Sequence, residues 1–111
     1  SLMALWCTVY LSLMGPEGLR RVNELCWERS HYLRDELLKT GLFEPVGEGE
    51  FIKEFVLKPH CPADRLMHAL AAAGYFAALP DEDGNVCFCV TEKHGREEMD
   101  ALVKCVKEAA L

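Results

Sequence analysis

Six cysteines, at positions 7, 26, 61, 87, 89 and 105, and four histidines, at 31, 60, 68 and 94, are the side chains of this sequence best suited to chemistry. A structural zinc site takes ligands in closely spaced pairs, and one pair needs a second. His60-Cys61 and Cys87-x-Cys89 stand alone, so they read as core or surface residues. A cysteine nucleophile needs a thiolate and a nearby base. Cys89 lies inside the apolar run Val86-Cys87-Phe88-Cys89-Val90, which disfavours the ionised form. Gly47-x-Gly49 lacks the helix and lysine that follow a phosphate-cradling loop. Asp81-Glu82-Asp83 falls far short of a calcium loop, and a turn explains it. Lys53 and Lys93 are lysines near strand faces or ends, but neither sits in an apolar or cofactor-binding motif. On this reading the chain presents no catalytic group, no cofactor-binding residue and no metal ligand.

The elements that would carry these residues follow from periodicity. The chain is organised around residues 86–93, a strand followed by the helix it feeds. Val86, Phe88 and Val90 alternate with Cys87 and Cys89, as side chains do on opposite strand faces. The apolar run predicts a central strand covered on both faces. Beyond Thr91 the period becomes helical, with Met99, Leu102, Val103, Val106 and Ala110 on one side, starting near Gly95.

Upstream, residues 2–14 read as a helix with Leu2, Leu5, Trp6, Val9 and Leu13 along one stripe, widened by Met3 and Tyr10. A helix apolar nearly all round needs a covering surface, so these five residues are candidate interface residues. Gly15-Pro16-Glu17 reads as a stop and a restart. A second helix to about Thr40 buries Leu19, Val22, Cys26, Leu33 and Leu37 and turns a charged face to solvent. Residues 42–50 read as a loop, 51–58 as a strand ended by Pro59, and Pro62 opens a third helix. That helix points Leu66, Met67, Leu70 and Ala73 inward and stops at Gly74. Residues 75–79 are a further short strand, joined to 86–90 through the turn 80–85. The predicted order is α-α-β-α-β-β-α. The fold class is α+β, a small antiparallel sheet with helices packed on one face, divided into an interface helix at 1–14 and an α+β domain at 15–111.

A chain of 111 residues supports one core. Its 12 basic and 18 acidic residues give a formal charge of −6, which argues against nucleic acid or an anionic membrane as partner. The cysteines fall on apolar faces and no secretory leader is seen, so they read as reduced and buried, in a cytoplasmic protein. The apolar start is too short to span a bilayer. The chain opens at Ser1 directly in helical pattern, which suggests a fragment whose first helix continues from a larger domain.

Certain motifs carry a resemblance. Residues 9–19, Val-Tyr-Leu-Ser-Leu-Met-Gly-Pro-Glu-Gly-Leu, resemble the entry to the C-terminal domain of glycine dehydrogenase (decarboxylating), the P-protein of the glycine cleavage system, in subunit 1 of its two-subunit form. Glu24-Leu25-Cys26 and His31-Tyr32-Leu33 are similar to the same family's helix. Glu54-Phe55-Val56-Leu57 resembles its Asn-Glu-Phe-Val strand, and Cys89-Val90-Thr91-Glu92-Lys93 its Cys-Val-Thr-Glu-Lys signature. The chain departs from the pattern at Lys53, where the family has asparagine, and in a shortened stretch between Tyr75 and Val86.

The resemblance implies the small C-terminal domain of a fold-type I pyridoxal-phosphate enzyme. Such an enzyme decarboxylates glycine and passes the aminomethyl group to the lipoyl H-protein. The cofactor would be held by the other subunit, leaving none in this fragment. The implied partners are a missing large domain of the same chain, subunit 2 and the H-protein, with a homodimer in isolation. Thr91 and Glu92 are the best-matched polar residues and the substrate-rim candidates. Two other readings stay open. A stand-alone ferredoxin-like regulatory or ligand-binding module predicts a small effector at a strand edge or dimer interface. A thiol enzyme predicts one fast-reacting cysteine.

Overall fold

A leucine-rich stripe on one long helix meets the inward face of a small sheet, and two shorter helices close the core around that contact. The computed structural model describes residues 1–47, 49–75 and 80–109. Its elements are α1 (Leu2–Lys39), β1 (Phe43–Pro45), β2 (Glu54–Pro59), α2 (Ala63–Ala72), β3 (Val86–Cys89) and α3 (Arg96–Ala109). The strands pair antiparallel in the order β1-β2-β3.

The period-two pattern is visible in the burial. Phe55, Leu57 and Pro59 of β2 point inward, while Glu54 and Lys58 are exposed. The register sets Phe55 opposite Phe88 and Leu57 opposite Val86. The Phe55 and Phe88 rings lie 5.6 Å apart and nearly parallel, and Phe43 meets Phe88 edge-on at 6.0 Å. Over this face pack Leu33 and Leu37 of α1, Leu66 and Leu70 of α2, and Met99, Val103 and Val106 of α3. Each such side chain, fully buried, contributes about 1.5–3 kcal/mol of transfer free energy.

Several sequence expectations change. The two N-terminal helices form one element with an elbow: Gly15 has φ 67° and ψ 175°, and Pro16 restarts the helix with no residue between. That backbone region is essentially restricted to glycine. Residues 42–50 are not all loop, because Phe43–Pro45 pairs with β2. The Val46 N–H donates to the Val56 carbonyl and the His60 N–H to the Leu42 carbonyl, which turns the Pro45 nitrogen to the free edge. Its missing N–H therefore costs no ladder bond. The strand at 51–58 is shifted: β2 starts at Glu54 and includes Pro59.

The expected central strand has a partner on each edge, β2 on one and Pro80, bridged antiparallel to Val86, on the other, but its cover differs from expectation. Among the described residues β2 lies in the middle and β3 beside it, with Cys87 half-buried and Cys89 exposed, so β3 is covered on one face. The cysteines are free, but only Cys26 is buried; Cys7 and Cys89 are exposed and the other three half-buried. Ala73, expected inward, is exposed at the end of α2. The strand expected at 75–79 lies outside the described residues except for Tyr75, as does Ala110.

Candidate functional site

Two regions gather the residues singled out by sequence: the loop between β3 and α3, and the N-terminal half of α1. The loop begins where the Val90 N–H donates to the Lys53 carbonyl at 2.9 Å. The Thr91 N–H donates to His94 Nδ1 at 3.0 Å, the His94 N–H donates to the Thr91 carbonyl at 3.2 Å, and the Lys93 N–H reaches Thr91 Oγ1 at 3.4 Å. Thr91 and His94 thus close a turn that leads into α3.

Glu92 faces α1. Its carboxylate accepts a hydrogen bond from the Cys26 thiol, with Sγ 3.4 Å from Oε2, and its carbonyl accepts one from the Arg29 guanidinium. The backbone N–H of Glu92, then the Cys26 thiol, then the charges of Lys53 and Lys93, hold the carboxyl below the usual glutamate range. Burial, and next the bond to Glu92, push the Cys26 thiol up. Burial also raises Cys87, ahead of the charge of Glu54. Neither thiol is activated as a nucleophile. The structure turns Thr91 and Glu92 to local and helix-docking contacts.

A second contact set, not anticipated from sequence, ties Phe51 and Ile52 to α1. The buried Ser30 hydroxyl lies 2.6 Å from the Ile52 carbonyl and 3.0 Å from that of Trp27, and donates to the nearer. The His31 ring lies between Trp27 and Phe51, with both centroid separations 4.0 Å, and its Nδ1 donates to the Trp27 carbonyl at 2.8 Å. Phe51 continues the stack to Phe55 at 5.3 Å, and the Arg34 guanidinium sits 5.6 Å from its ring centre. The four-residue spacing of Trp27 and His31 on a helix was the available signal.

The five candidate interface residues are all exposed: Leu2 by 69%, Leu5 by 59%, Trp6 by 65%, Val9 by 45% and Leu13 by 82%. The first buried residue of α1 is Cys26. Among the described residues α1 is the one helix long and apolar enough to cross a membrane. Its apolar part before the elbow, however, is only about 20 Å long at ~1.5 Å per residue, short of a ~30 Å hydrocarbon core.

Two clefts are open as seats for pyridoxal phosphate, which needs a Schiff-base lysine in an apolar pocket. The larger, about 620 Å³, lies beside β3 and the start of α3 and is lined by Tyr75, Cys87, Cys89, His94 and Glu98 among others. The smaller, about 230 Å³, is lined by Arg34, Glu50, Phe51 and Glu54 with the loop after β1. Among the described residues neither is lined by a lysine, and Lys53 and Lys93 are exposed. These residues do not fit the cofactor. No group of three or more metal-ligating side chains occurs among the described residues.

No family model matches the chain. It is 38% identical to a probable glycine dehydrogenase (decarboxylating) subunit 1 of Thermomicrobium roseum, across 97% of this chain and 25% of that protein. The protein of the same name from Aeropyrum pernix is 38% identical across 93% of this chain and 24% of its own length. A crystal structure of glycine decarboxylase, the P-protein of the glycine cleavage system, in inhibitor-bound form superposes with a TM-score of 0.83 and 33% identity, over 91% of this chain and 24% of that one. The chain is homologous to a domain of glycine dehydrogenase (decarboxylating) subunit 1. It spans about a quarter of the length of the glycine dehydrogenase relatives it matches. The likeness to the P-protein includes the α+β architecture described above.

Proposed function

We propose that this chain works as the C-terminal domain of a glycine dehydrogenase (decarboxylating) subunit 1, and that its role there is structural. One observation carries the reading: similarity to proteins of that name runs through 93–97% of the chain. In this assembly glycine is decarboxylated and its aminomethyl group passes to the lipoyl arm of the H-protein. Pyridoxal phosphate of the fold-type I architecture, held by subunit 2, supplies the carbanion-stabilising chemistry.

The domain contributes a rigid sheet-and-helix body. Its loop 91–95 is fixed to α1 through Glu92, Cys26 and Arg29. Thr91 and Glu92 act as positioning residues for that loop, which forms part of the subunit's wall. The setting is cytoplasmic, without a membrane or nucleic acid as partner; the elbow within the apolar helix and the net charge of −6 support this.

The test is a chimera in which this chain replaces the homologous quarter of the Thermomicrobium roseum protein. Assayed with subunit 2 and lipoyl H-protein, the chimera is expected to decarboxylate glycine, and the 111-residue chain alone to show no activity. A correctly folded but inactive chimera, or turnover by the isolated chain, would contradict the reading.

A further inference from the structure

Two thiols are too few for structural zinc, but they are enough for an ion that takes two ligands. Cys87 and Cys89 stand two residues apart on β3 and share its outward face, on the other side from the buried Val86 and Phe88. Both are free thiols lining the larger cleft, Cys87 half-buried and Cys89 exposed. Burial, then the charges of Glu54 and of Cys89, raise the Cys87 thiol, so the two sulfurs lie close enough to act on each other. The rise of a strand sets same-face neighbours about 6.7 Å apart. That is beyond the ~3.5–4.5 Å between Cβ atoms that a disulfide needs. A metal ion held between the sulfurs by bonds of ~2.3 Å spans about 4.6 Å, and each sulfur reaches it by leaning about 1 Å toward the other.

We propose that Cys87 and Cys89 bind a soft monovalent metal ion, cuprous copper, as a two-coordinate bis-thiolate site on the outward face of the sheet. The surroundings select for that ion. Thiolate sulfur favours cuprous copper over harder ions. No group of three or more metal-ligating side chains occurs among the described residues, so they do not assemble the four ligands of a structural zinc. His94 lines the same cleft, but its Nδ1 accepts the Thr91 N–H at 3.0 Å. In the neutral ring its Nε2 therefore carries the proton and is no ligand. Glu54, opposite Cys89 in the register, draws a cation toward the pair. Binding is an exchange without redox change. Two S–H bonds break, two copper–sulfur bonds form, and two protons leave to solvent while copper stays in its +1 state. Both ligands come from one strand, so the site is complete within these 111 residues.

The test titrates the reduced 111-residue chain, without oxygen, with cuprous copper buffered by the chromophoric chelator bicinchoninate. The chain should withdraw one copper per molecule. X-ray absorption of the product should show two sulfur neighbours and no nitrogen or oxygen. Cys87→Ser and Cys89→Ser should each lower the affinity by at least ~100-fold, beyond the usual cost of losing an outer-shell partner. Cys7→Ser and Cys61→Ser should leave it unchanged. Alkylation of the native chain gives a readout that needs no variant: copper should protect Cys87 and Cys89 and leave Cys7 reactive. Retained affinity in either strand variant, or protection of a different pair of cysteines, would overturn the site. So would one copper per two chains, which would assign the ion to a bridge between copies, and so would zinc bound as tightly as copper.

Discussion

The body and the N-terminal segment of this chain solve the problem of apolar surface in opposite ways. In the body, Leu37, Leu57, Leu70 and Val86 are completely buried, each held by neighbours from a different element. In residues 2–13 comparable side chains are left in water, on the same helix that further on supplies Leu33 and Leu37 to the core. The difference is not composition but what lies opposite. After the elbow, α1 runs over the sheet; before it, its large apolar side chains stay exposed among the described residues. The body closes a core, and the segment leaves its apolar side chains exposed.

The largest test of that contrast is a matched pair of truncations. Leu37→Ala should destabilise the isolated chain by about 2–5 kcal/mol through cavity formation, measured by chemical denaturation. Leu13→Ala, equally apolar but 82% exposed, should leave the isolated chain unchanged. A comparable loss at both positions would erase the distinction between the two regions.

Ser30→Ala sharpens the contrast from inside the body. The hydroxyl is buried against the Ile52 carbonyl, and removing it leaves that acceptor without its partner, at about 1–3 kcal/mol. Equilibrium unfolding of the variant should show that loss together with faster amide exchange at residues 51–53. Gly15→Ala acts on the junction. In the chimera, strain at φ 67° and ψ 175° should cost about 1–3 kcal/mol. In the isolated chain the segment is free to change direction, and the cost should vanish. Thermal melts of both proteins decide it.

The smallest expected effect is a pH dependence at Glu92. Its carboxyl is held below the ordinary range by its own backbone N–H and the Cys26 thiol. A depressed folded-state value gives stability that is complete above the unfolded pKa of about 4.3 and is lost as pH falls through the lower folded value. Melting curves of the native chain and Glu92→Gln should therefore differ at pH 7 and converge in acid below about pH 4. A gap independent of pH would show that the contact works without the charge.

Much of the body was legible because its signals are local. The alternation of Val86, Phe88 and Val90 gave the inward face of β3, and the helical spacing of Met99, Val103 and Val106 gave that of α3. The exposure of the apolar start could be foreseen because no other part of the sequence offered a matching surface. β1 was missed because it is three residues long, has a single buried side chain and contains Pro45, whose position depends on a partner strand. The place of β2 between β1 and β3 was missed because strand order is a property of pairing and not of apolarity. The contacts of Glu92 were hidden for the same reason. Cys26 lies 66 residues away from Glu92, and no local pattern announces a contact of that range.

One measurement addresses the central claim most directly: hydrogen exchange at the backbone amides of residues 2–13, in the isolated chain and in the chimera, under identical conditions. The account predicts rapid exchange in the isolated chain, with slow exchange confined to the body, and strong protection of the same amides once three quarters of the relative's chain is present. Equal rates in the two proteins would contradict it, whether uniformly fast or uniformly slow.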